Sequence, residues 1–341
     1  AMKFLLYSLF GGLIMLGGVL FIWALGSSTQ SNTVAFFRMD TLAALLPNLS
    51  ASVQMVVFVS FMVAFAIKAP MVPVHTWLPD TAAVARPGTS VLLVGVLDKI
   101  GTFGMITMCL QLTPGASAWA MCVLAVISIL WGGLSANGQN DIMRLVSYTS
   151  VSHFGFMVLG IFIGSEIALV GAMFYMVAHG VSIAAMFLLS GWLSKRGGTQ
   201  DMRDYVGMQR VTPVLAGLWL MSGLASIALP GLSGFVPEYL VLMGTWTVSG
   251  PLALFAVLGV VIAAMYILMP YQRVFTGAPG KGKEDLADLG ARERGVMTPL
   301  VVAMLVLGIW SALLVSALTP VAQDLDLANS QVPAAAEGSA Q

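Results

Sequence analysis

Five ionisable side chains, Lys68, Lys99, His153, His179 and Glu238, fall within stretches that are otherwise almost wholly apolar, and Asp98 adjoins Lys99. The chemistry open to such a set is proton transfer. Burial in a low dielectric disfavours the charged form of an amine or a carboxyl group, so each can exist neutral and charge transiently. Histidine exchanges its proton near neutral pH without any help. Groups of this kind, placed on different helices and bridged by water, can pass a proton along. Each also has a plainer reading. Lys68, at a helix end, could reach back to the headgroups. His153 and His179 could only hydrogen-bond neighbouring helices. Asp98 and Lys99 could neutralise each other, although adjacent residues on a helix point about 100° apart. Glu238 is hardest to explain as structural glue, because its span contains no basic residue.

Composition fixes the elements that must position these groups. Of the 341 residues, 58% are hydrophobic and 9% charged, against about 25% charged in a soluble domain. Fifteen basic and fifteen acidic residues balance, which implies no pull towards nucleic acid. The sequence predicts an all-α polytopic membrane protein with a single membrane domain. A crossing helix needs about 20 apolar residues. Such stretches run over 4–25, 51–68, 88–111, 117–136, 143–164, 167–193, 251–273 and 297–318. The first is too long for a signal-peptide core, which has roughly 7–15 residues. Cys109 and Cys122 carry no metal or disulfide spacing, and no Gly-rich dinucleotide loop is present. No cofactor or metal is expected.

The stretch 211–249 is long enough for two helices but is cut by Pro230, Gly231, Gly234 and Pro237. Basic residues collect in cytoplasmic loops, and both 194–210 and 273–296, the latter including Lys281, carry several. An even number of crossings must separate two loops on one side, so 211–249 counts as one discontinuous crossing. The total is about nine. Arg86, Asp141 to Arg144 and Lys3 then lie on the cytoplasmic side, and the tail with Asp324, Asp326 and Glu337 ends outside. A second break follows Lys68, where Pro70, Pro73 and Pro79 interrupt the chain. Paired interrupted helices point to a transport site built on inverted repeats. The expected division is 1–111 for the remainder of a first repeat, 112–275 for a second, and 276–341 for a cytoplasmic loop, a last helix and an acidic tail.

Several runs resemble the antiporter-like membrane subunits of complex I, the proton-translocating NADH–quinone oxidoreductase. They are Ala66 to Pro70, Pro73 to Asp80, Gly95 to Lys99, Asp141 to Phe156 and Ala178 to Gly180, long motifs in the family's order. Glu238 resembles the glutamate of the chain-M type, where sister subunits usually carry lysine. The resemblance implies that Lys68 is a broken-helix lysine tuned by a carboxylate, Lys99 the central relay lysine, His153 and His179 water-linked carriers, and Glu238 the terminal exchange group. It implies proton translocation driven by quinone chemistry elsewhere, neighbouring antiporter-like chains and the lipid bilayer as partners, and a bacterial plasma membrane. Members of the family carry further helices upstream, including the carboxylate expected to pair with Lys68, so the chain reads as a C-terminal portion. Asp98 departs from the usual apolar residue and is a candidate modulator of Lys99 or an extra relay stop. The rival readings are a subunit of a multi-subunit sodium/proton antiporter, a membrane-bound hydrogenase subunit, and a purely structural subunit.

Overall fold

The computed structural model describes residues 2–29, 38–113, 118–280 and 282–330; Lys281 and Glu337 lie outside the described residues. Among the described residues the protein is all-helical. The helices in chain order are α1 (Met2–Thr29), α2 (Met39–Leu45), α3 (Ala51–Lys68), α4 (Trp77–Val84), α5 (Pro87–Leu110), α6 (Ala118–Asn137), α7 (Ile142–Phe162), α8 (Glu166–Gly197), α9 (Met208–Val211), α10 (Pro213–Ser226), α11 (Phe235–Val248), α12 (Gly250–Phe275), α13 (Ala291–Ile309) and α14 (Ala312–Ser330).

Seven of these are individually long and apolar enough to cross a membrane, and an eighth crossing results if α13 and α14 form one span. The stretch 211–249 supplies α10 and α11, each 14 residues and too short to cross alone. The expected single helix over 297–318 needs correction. The helix starts earlier, at Ala291, and α13 and α14 are bent by 69° at 310–311. A Cβ at Gly308 would stand 2.3 Å from the Gly231 carbonyl, so α13 is pressed onto the interruption between α10 and α11 immediately before it bends.

Two helices form the centre. Nearly every residue of α7 is buried, including Ser147, Thr149, Ser150, Ser152 and His153. The α8 helix packs against α5, α7, α10, α11, α13 and α14. The hydroxyls on α7 do not stand unpaired in this interior: Ser147 donates to the Met143 carbonyl at 2.8 Å and Thr149 to Val146 at 2.8 Å. The Asp141 carboxylate caps α7, accepting from the backbone N–H groups of Met143 and Arg144 at 2.8 and 3.0 Å. The α8 helix ends where Gly198 turns left-handed at φ 76°, with Lys195 and Arg196 in its last turn.

One end of the bundle gathers the loops that the charge pattern assigns to a common side. Asp80 accepts from Lys3 at 2.7 Å and from Arg144 at 3.0 Å. The Lys3 hydrogen bond, with Arg144 adding its charge, holds the Asp80 carboxyl below the usual carboxylate range. Residues 140–142 and 200–202 exchange backbone hydrogen bonds, Ile142 N–H to Gln200 at 3.0 Å and Met202 N–H to Asn140 at 2.8 Å. Arg196 pairs with Glu293 at 2.5 Å. At the other end, Gln323 of α14 donates to Glu166, the first residue of α8, at 3.0 Å.

Close helix contact depends on small residues, as it must where lipid tails supply no hydrophobic drive between helices. A Cβ at Gly155 of α7 would meet the Ala125 carbonyl at 2.7 Å and the Ile129 nitrogen at 2.8 Å, and backbone cannot yield as a side chain can. Gly155→Leu is therefore expected to destabilise the fold by about 1–3 kcal/mol or more through overpacking. Gly217→Leu, on an open face with nothing within 4 Å of the added atom, is the control. Thermal unfolding of the purified protein in detergent checks this: a lowered midpoint for the first variant alone is expected, and equal midpoints contradict the packing account.

Candidate functional site

The α5 helix carries Lys99 between two stretches of wider, π-helical turn, Leu93–Leu97 and Met105–Leu110. Such insertions recur at functional sites because they displace side chains from the regular helical progression. On α8, Gly180 lies opposite Gly95 of α5, the carbonyl of one 3.1 Å from a Cβ built on the other. That approach brings Lys99, one turn beyond Gly95, against His179. Lys99 Nζ stands 2.6 Å from His179 Nδ1 and donates to the Val94 carbonyl at 2.6 Å. It also lies 4.8 Å from the centre of the Phe154 ring.

His153 is set by its neighbour. Ser152 donates across to the Ile129 carbonyl of α6 at 2.9 Å, and Gly132 of α6 leaves room for the Ser152 backbone. His153 is thereby turned inward, its ring 5.1 Å from that of His179 at 72°. Its Nε2 is 3.1 Å from the hydroxyl of Tyr266 on α12. The third contact lies where α11 meets α8. Gly171 of α8 abuts Pro237, Leu240 and Val241, and one turn on from it the Tyr175 hydroxyl donates to Glu238 Oε2 at 2.6 Å. The rings of His153 and Tyr175 are 5.8 Å apart.

Four of the five residues singled out by sequence, Lys99, His179, His153 and Glu238, thus form one buried line. Lys68 does not join it directly. It ends α3 half-buried and has no hydrogen-bond partner among the described residues. Tyr175 and Tyr266 complete the line and were not singled out from the sequence. The available signals were slight: Tyr175 precedes His179 by four residues, and Tyr266 is a hydroxyl within an apolar span.

Several atoms along the line retain hydrogen-bonding capacity: His179 Nε2, His153 Nδ1, and the hydroxyls of Ser226 and Ser233 flanking the α10/α11 interruption. Buried polar atoms of this kind are the places where internal water is held. Within the interruption Ala228 takes φ 57° and Gly231 φ 90°. A non-glycine residue in that region costs on the order of 1–3 kcal/mol and tends to mark functional sites. The α10 half is held from outside, since the Asp288 carboxylate accepts from the Val214 and Leu215 N–H groups at 2.8 and 3.1 Å. The break after α3 is satisfied internally, Trp77 Nε1 donating to the Ile67 carbonyl at 2.8 Å and the Val72 N–H to Ser128 at 3.0 Å. No cluster of three or more His, Cys, Asp or Glu that could hold a metal ion occurs among the described residues.

Comparison with known proteins agrees with this architecture. Residues 1–263 match the family model described as NADH:quinone oxidoreductase/Mrp antiporter, transmembrane. The chain is 43% identical over 328 residues to NADH-quinone oxidoreductase subunit M of Mycobacterium tuberculosis, covering 95% of this chain and 59% of that protein. It therefore spans somewhat over half the length of the curated relatives it matches. It superposes with a TM-score of 0.87 and 33% identity on a chain of respiratory complex I from Thermus thermophilus, covering 96% of this chain and 68% of that one. A chain of the Mrp complex from Dietzia sp. DQ12-45-1b shares the fold at a TM-score of 0.83 and 21% identity. The chain belongs to the NADH:quinone oxidoreductase/Mrp antiporter transmembrane family.

Proposed function

We propose that this chain is the proton-translocating portion of a subunit M of a bacterial NADH–quinone oxidoreductase, resident in the plasma membrane beside other antiporter-like chains. The observation that carries the reading is the contact of Lys99 Nζ with His179 Nδ1 at 2.6 Å inside an apolar bundle. An ammonium and a neutral imidazole at that distance share one proton, and transfer between them needs no rearrangement of backbone. From His179 the proton continues to His153, whose ring is 5.1 Å away, by way of water. Tyr266 and Tyr175 then orient the histidine and the carboxylate at the far end, and Glu238 exchanges protons with the outside or with the next subunit. Lys68 is the charge at the other end, where the break between α3 and α4 replaces regular helix. The chain holds no redox centre in this reading, so the energy comes from quinone reduction elsewhere in the complex.

The two interrupted pairs, α3 with α4 and α10 with α11, occupy equivalent places in the inverted repeats 1–111 and 112–275. With the loops of the Asp80 and Glu293 ends cytoplasmic, the C-terminus lies outside. Gln323 of α14, at the opposite end of α8 from those loops, supports that assignment.

Glu238→Gln keeps the size of the side chain and a hydrogen bond to Tyr175 but removes the exchangeable acid. In inverted vesicles carrying the assembled complex, NADH-driven proton uptake and quinone reduction are both expected to fall at least about tenfold, the low end of what general acid–base groups contribute. Wild-type rates in this variant would take Glu238 off the path. Loss of sodium-driven rather than NADH-driven proton movement would favour the antiporter reading instead.

A further inference from the structure

Asp98 is fully enclosed, and among the described residues neither of its carboxylate oxygens has a hydrogen-bond partner. An isolated buried carboxylate costs several kcal/mol when charged, a cost that an apolar side chain would not carry. Its sequence neighbour Lys99 makes no hydrogen bond to it, because Lys99 Nζ is committed to Val94 and His179. Asp98 shares its side of α5 with Gly101, one turn on. That side is in backbone contact with the end of α3: a Cβ at Gly101 would stand 2.5 Å from the Ala69 nitrogen and 2.8 Å from the Phe65 carbonyl. Lys68 lies between those two residues. The carboxylate is accordingly coupled electrostatically to both Lys99 and Lys68. Lys68 itself borders a cavity of about 270 Å³, lined mainly by α1 and α3 and touching Ile100 of α5.

We propose that Asp98 is a proton-carrying carboxylate that joins Lys68 to Lys99, an inference that rests on the relay reading above. An N–H bond of the Lys68 ammonium breaks, and the proton passes through water to form an O–H bond on the Asp98 carboxylate, leaving a neutral amine. That O–H bond then breaks and the proton passes through water to the lone pair of a neutral Lys99 Nζ, which restores the carboxylate. Nothing is oxidised or reduced, and the otherwise unpaired buried carboxylate is neutral for part of each cycle. Asp98 thereby supplies the step that brings Lys68 into the line of contacts from which geometry alone separates it.

The test compares Asp98→Asn, Asp98→Leu and Asp98→Glu with Glu238→Gln, each in the assembled complex in inverted vesicles, with rates expressed per complex quantified by immunoblot. Asn and Leu are expected to slow NADH-driven proton uptake at least about tenfold, and Glu to retain more than about half of it. Wild-type uptake in the Asn and Leu variants beside a slow Glu238→Gln overturns the role of Asp98 and leaves the relay standing. Wild-type uptake in all of them overturns both. A structural role is separated by difference infrared spectroscopy of wild type and Asp98→Glu, which also serves if the other variants do not assemble. A carboxylic C=O band that changes with turnover and moves in the Glu variant is expected, and a spectrum with no such movable band overturns the proposal.

Discussion

The contact between Lys99 and His179 sets the terms for the rest of the molecule. Placing an amine and an imidazole 2.6 Å apart away from water requires that both helices be fixed to a fraction of an ångström and that neither group be left with nothing to bond. Gly95 and Gly180 provide the first condition by letting backbone meet backbone. The wider turns on either side of Lys99 provide the second, with the Val94 carbonyl offered to Nζ inside the bundle. Around this pair the fold is arranged in order of burial, with α7 enclosed on almost every side, α8 packed against at least six other helices, and α1 and α12 largely exposed.

Interrupted helices serve the same need from the ends. Where α3 gives way to α4, indole and hydroxyl groups take up the freed backbone, and a half-buried lysine closes the helix. Where α10 gives way to α11, the chain turns through two left-handed residues beside buried serines, and Glu238 opens the second half. The Asp288 cap extends control of that half-helix into the loop before α13, so a region remote from the buried line fixes where the line ends.

Much of this was legible in the residues themselves. Apart from 297–318, long apolar runs located the spans to within a few residues, and the breaks expected within 211–249 appear as an interruption between two 14-residue helices. Four of the five ionisable residues converge, because a charge inside an apolar helix has few places to go other than the bundle interior. Three features were not legible. The hydroxyls of Tyr175 and Tyr266 belong to residues that are ordinary in an apolar span, and only the tertiary fold aims them at Glu238 and His153. The position of Lys68 relative to the others depends on how α3 meets α5 at Gly101, a contact that spacing along the chain does not encode. The bend between α13 and α14 follows directly on a contact with a distant turn, where Gly308 meets Gly231 across the bundle.

The central claim is that a proton passes through the Lys99–His179 contact, and Lys99→Gln tests it most directly. Glutamine still donates to the Val94 carbonyl but cannot gain or lose a proton near neutral pH. Proton uptake and quinone reduction, followed together in inverted vesicles carrying the assembled complex and driven by NADH, are predicted to collapse in parallel with the complex intact. Uptake at the wild-type rate with Lys99 replaced would contradict the account.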